Sequence, residues 1–105
     1  DVIQLVRNNH DLYGSFGIHP NNSNEWNNDI KDSIVNVKEQ LNRKMVAVGE
    51  CGLDYYRNRT DKMVQQQVFV EQIKLSQDLN LPLVVHTRLA EQDTIDIMKK
   101  YCNKQ

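Results

Sequence analysis

Three short apolar runs in this chain each lead to a side chain that can bind a proton or a metal ion. "LYGSFGI" (12–18) precedes His19, "KMVAVGE" (44–50) ends on Glu50, and "PLVVH" (82–86) ends on His86. The second run is too short and too β-branched for a helix and reads as a buried strand. Pro20 stops the first run, because proline cannot continue a ladder. The three tips stand 31 and 36 positions apart (19 to 50, 50 to 86). That interval holds one helix between successive strands, as parallel βαβ crossovers require.

The intervening segments carry the matching helical periods. Ile30, Ile34, Val37 and Leu41 fall on one helical face. Over 62–79, Val64, Val68, Leu75 and Leu79 form a stripe with Phe69 and Ile73 beside it. A stripe that broad predicts packing against both a sheet and neighbouring helices. Asn80 is placed to end this helix, and a last one over about 90–102 uses Ile95, Met98 and Cys102. Before the first strand, Ile3, Leu5 and Val6 give a short helix that stops near "NNHD". "NNSNEWNND" (21–29) reads as a polar surface loop and "GLDYYRNRTD" (52–61) as another. The expected fold class is therefore α/β with parallel strands at about 12–18, 44–50 and 82–86. No glycine-rich phosphate fingerprint follows any strand, which speaks against dinucleotide binding.

Composition narrows the classes further. At 105 residues the chain supports a single core, and residues 1–105 are expected to form one partial domain. A net charge of −1 without a long run of one sign lacks the clustered cations that nucleic-acid coating needs. A compact site touching a few phosphates remains open. No membrane association is expected, since no run of apolar residues is long enough to span a bilayer. Cys51 and Cys102 form no CxxC pair and read as reduced thiols, which points to an intracellular compartment, cytoplasmic or nuclear. The chain starts without Met, on what reads as a helix already under way, and is expected to be part of a longer one.

In parallel βα folds, ligands bind at the carboxyl ends of the strands. His19, Glu50 and His86 would then converge on one mouth although distant in sequence. Imidazole with carboxylate suits a divalent metal, histidine favouring zinc or another transition metal and carboxylate favouring magnesium or manganese. Such an ion lowers the pKa of bound water and polarises a phosphoryl or carbonyl oxygen. Each histidine taken singly also fits a structural or exposed role. Cys51 could be read as a nucleophile, but a small buried thiol beside a strand is the better-supported reading.

"GIHP", "VAVGECGLDYYR", "QQQVFVEQIKLSQDLNLPLVVHTR" and "DTIDIM" closely resemble the TatD family of metal-dependent deoxyribonucleases, over residues 12 to 100. The resemblance implies a (β/α)8 TIM-type barrel of the metallo-dependent hydrolase kind. It also implies hydrolysis of DNA phosphodiesters with one or two divalent ions (Mg, Mn or Zn) at the barrel mouth. By motif, Glu50 and His86 match the family's catalytic metal ligands. His19 matches a histidine on the substrate side, Asp54 supports the ligands, and Arg88 is a phosphate contact or a structural ion pair. Tyr55 and Tyr56 are expected to pack the loop. Leu89 stands where an acid is common. The family's first-strand His-x-His and its later histidine and aspartate are not found, His10 being the one further histidine. On the family's layout the chain holds strands three to five of eight, whereas a whole barrel takes roughly 250 residues. Alone it is expected to be inactive, and either to associate with copies of itself or to be a piece of a larger ordered molecule. Two alternatives share these residues: amide or ester hydrolysis on the same barrel, and a non-catalytic interaction domain.

Overall fold

Helix starts and stops follow side chains that satisfy free backbone groups. The computed structural model describes residues 2–9, 13–56 and 59–102, so His10 and the expected strand residue Leu12 lie outside the described residues. The helices are α1 (Val2–Arg7), α2 (Asn28–Leu41), α3 (Lys62–Leu79) and α4 (Glu91–Tyr101). Asn27 caps α2 by accepting from the Ile30 N–H at 2.8 Å, and Asp61 caps α3 by accepting from the Met63 N–H at 2.7 Å. Asn80 closes α3 in the left-handed conformation, its N–H returning to the Gln77 and Ser76 carbonyls. Lys44 stabilises the end of α1, its ammonium lying 2.6 Å from the Val6 and Asn9 carbonyl oxygens.

The strands are β1 (Gly14–Phe16), β2 (Met45–Asp54) and β3 (Leu83–Arg88), in one parallel sheet of order β1-β2-β3. All three strand ends differ from the sequence expectation: β1 stops at Phe16, two residues before Ile18. β2 does not stop at Glu50 but runs four residues further to Asp54, and β3 continues past His86 to Arg88. The reason is Gly52. Glycine reads as a loop residue, yet here it pairs with His86, its φ is +131°, and a Cβ would collide with the His86 carbonyl. The pairing continues through Leu53 with Thr87 and Asp54 with Arg88. Register shifts between Gly49 and Cys51, which leaves Glu50 unpaired at a bulge.

The helices cover one side of the sheet. One cluster joins Val6, Ile34, Val37, Leu41, Met45, Val48 and Leu75, and a second joins Cys51, Leu53, Phe69, Ile73 and Ala90. The other side is open, with Val46 and Val84 retaining 43% and 42% of their surface. Helix α3 rotates relative to the expected stripe: its buried line runs through Gln65, Val68, Phe69, Gln72, Ile73, Leu75 and Ser76, with Val64 and Leu79 at the margin. The asparagine-rich segment is not wholly a surface loop. Pro20–Glu25 forms a 3-10 turn in which Ser23 is buried and donates to the Pro20 carbonyl at 2.8 Å. No helix among the described residues is long and apolar enough to cross a membrane.

Candidate metal centre

Because β2 and β3 end side by side, Asp54 and His86 lie together at the carboxyl edge of the sheet. The Asp54 carboxylate is 3% exposed, with Oδ2 2.9 Å from His86 Nε2, and its Oδ1 accepts from the Tyr56 N–H at 3.0 Å. Burial alone would favour the neutral acid. The hydrogen bonds from His86 and Tyr56, with the positive charge of Arg88, outweigh it and hold Asp54 below its ordinary value. A carboxylate accepting from Nε2–H leaves the His86 Nδ1 lone pair free.

His19 arrives from the other direction. It caps the 3-10 turn that follows β1, its Nδ1 accepting from the Asn21 N–H at 3.1 Å. Its ring centroid lies 4.7 Å from that of His86, tilted by 51°. The nearest donor atoms of His19, Asp54 and His86 all fall within 4.8 Å of one another. Two imidazoles and a carboxylate at that spacing fit a divalent transition metal.

The other expected site residues are placed differently. Glu50 is exposed and outside this group, and its side chain makes no hydrogen bond or ion pair among the described residues. Glu50 sits at the bulge between Gly49 and Cys51, where the side-chain alternation of β2 is interrupted. Arg88 has no carboxylate partner among the described residues; its guanidinium lies 3.8 Å from the Tyr56 ring centroid. Tyr55 packs as expected, its hydroxyl donating to Asp93 at 2.8 Å. Burial pushes the Cys51 thiol up to about 12, so it is an inert core group at neutral pH. Sequence reasoning missed Gln65 and Gln72, which hold the backbone of Asp54 and Ile18 from inside the core. The available signal was their seven-residue spacing in line with α3's apolar positions.

The family described as TatD related DNase matches residues 1–105. The chain belongs to this family. It is 42% identical over 104 residues to an uncharacterized metal-dependent hydrolase of Buchnera aphidicola subsp. Baizongia pistaciae, covering 99% of this chain and 38% of that protein. It is 31% identical over 101 residues to the 3'-5' ssDNA/RNA exonuclease TatD of Escherichia coli K12, covering 96% of this chain and 38% of that one. The solved structure of YjjV, a TatD homologue of E. coli K12, superposes with a TM-score of 0.85 at 29% identity, over 95% of this chain and 39% of YjjV. The three parallel βα units are thus part of a TatD-type β/α barrel. The chain spans about 38% of the length of these curated relatives.

Proposed function

We propose that the full-length protein is a metal-dependent nuclease that hydrolyses DNA phosphodiester bonds at the strand ends described here. The observation that carries this reading is the convergence of His19, Asp54 and His86 within 4.8 Å in a chain of the TatD family. The 105 residues act as one partial domain of that protein, and by themselves they would be inactive and self-associating. The two free cysteines favour an intracellular setting.

His86 and Glu50 would hold the ion, with the remaining ligands supplied by other strands of the barrel. A bound divalent ion would polarise the phosphoryl oxygen and generate the attacking hydroxide at neutral pH. Asp54 holds His86 at Nε2, keeping the ring oriented and the Nδ1 lone pair available. His19 has the opposite assignment. With Nδ1 accepting from Asn21, the proton of the neutral ring sits on Nε2, which makes that atom a donor to a phosphate oxygen and not a metal ligand. Arg88, lying over the Tyr56 ring and in no carboxylate ion pair among the described residues, presents a cation to the scissile phosphate. Glu50, exposed at the bulge and without a side-chain partner among the described residues, is available to an ion.

The test is a substrate panel on the full-length protein: single-stranded DNA, RNA, an amide and a simple phosphoester, each with magnesium, manganese or zinc. DNA cleavage that requires metal and stops on chelation is expected. Hydrolysis of the amide alone, or cleavage indifferent to chelator, would contradict the reading.

A further inference from the structure

Gln65 and Gln72 lie seven positions apart on α3, with 0% and 1% of their surface exposed. A primary amide left unpaired in a core is destabilising, so its partners show what holds it there. Gln72 Oε1 accepts from the Ile18 N–H at 2.8 Å, and its Nε2 donates to the Ile18 carbonyl at 3.1 Å. Gln65 Oε1 accepts from the Asp54 N–H at 2.8 Å, and its Nε2 donates to the Asp54 carbonyl at 3.0 Å and the Thr60 carbonyl at 2.9 Å. Each side chain makes both backbone bonds of one residue, as a neighbouring strand would. It does so where the strands run out, β1 at Phe16 and β2 at Asp54.

The residues held this way are not arbitrary. Ile18 is peptide-bonded to His19, and Asp54 is the partner of His86. Seven residues advance a helix by about 10 Å, so one rigid rod references both halves of the site. At Gly17 the backbone closes on the same clamp, since a Cβ there would meet Gln72 Oε1 at 2.7 Å.

We propose that Gln65 and Gln72 are positioning residues, Gln72 setting His19 and Gln65 setting the Asp54–His86 pair. The proposal rests on the reading of these three residues as the working site, and adds that their spacing is set from α3. A purely space-filling pair of glutamines would affect stability without distinguishing the two histidines.

The experiment reads the imidazole ¹⁵N shifts of the full-length, metal-free protein at one fixed pH. Gln72→Met is expected to move the His19 ring nitrogens toward mixed-tautomer values and leave those of His86 in place. Gln65→Met should move His86 and leave His19. Where circular dichroism shows that a methionine variant does not fold, the glutamate variant, which keeps the acceptor oxygen, is read instead, with a smaller shift in the same nitrogens. Where the wild-type protein cleaves DNA, both variants should lower kcat by about 10²-fold, with metal content unchanged in Gln72→Met and metal binding weakened in Gln65→Met, which acts through the Asp54 that orients His86. Because the shifts are read without metal or substrate, an absence of nuclease activity bears on the function and not on the clamps. Both histidines moving together, or neither moving, in folded variants would overturn the proposal.

Discussion

Strand β2 carries two carboxylates four residues apart, and the structure treats them in opposite ways. Glu50 sits at a register shift, exposed and unpaired among the described residues, while Asp54 is buried and bonded to His86 and the Tyr56 N–H. An acid with two hydrogen bonds and 3% exposure is already committed to its neighbours, so its chemistry is to orient. An acid with no partner is free to take one. The comparison teaches that availability, more than proximity to a histidine, separates a candidate ligand from its support.

The sharpest way to break that division is to remove the two proposed ligands. Glu50→Gln and His86→Ala in the full-length protein are expected to reduce DNA cleavage to the level of chelator-treated enzyme while the thermal transition persists. Near-normal turnover in either folded variant would contradict the assignment. His19→Ala comes next: losing one donor to the phosphate should slow turnover by about 10²–10³-fold, with metal stoichiometry retained on direct metal analysis. Asp54→Asn keeps the shape but removes the charge that orients His86. An effect of about 10–100-fold on metal affinity is expected, measured by titration calorimetry.

Much of this layout was legible in the residues, and the exceptions have definite causes. The span of the helix at 62–79 was readable to the residue because apolar residues recur at helical spacing across it and Asn80 stops it, although its buried face is rotated from the expected stripe. The tip of β2 was misplaced because Gly52 reads as the start of a loop, whereas a sheet whose strands approach closely can run through a glycine. That error made Glu50 look terminal and left Asp54 in a loop. His19, Asp54, His86 and Arg88 were singled out from "GIHP", "GLDYYR" and "VVHTR"; the structure brings the first three together, and the approach of Arg88 to the Tyr56 ring was not foreseen. Gln65 and Gln72 escaped because hydrophobic periodicity scores an amide as surface, and only a backbone partner makes its burial favourable.

The smallest expected effect concerns Cys51, between the two acids. Its thiol stays protonated up to about 12 in the folded chain, against 9.0 ordinarily. The folded form therefore retains a proton that the unfolded form loses, so this contribution is complete below pH 9 and lost as pH rises through about 12. Cys51→Ala should flatten the alkaline fall in stability without changing DNA cleavage at neutral pH. Iodoacetamide at pH 8 should label native Cys51 far more slowly than the half-buried Cys102.

The division of roles on β2 is tested most directly by counting divalent ions bound per chain in the full-length wild type and in four variants: Glu50→Gln, His86→Ala, Asp54→Asn and His19→Ala. Loss of bound metal from the Glu50 and His86 variants, weaker binding with Asp54→Asn, and full occupancy with His19→Ala is the predicted pattern. Full occupancy in Glu50→Gln together with loss in His19→Ala would contradict it, and would place the ion among His19, Asp54 and His86 instead.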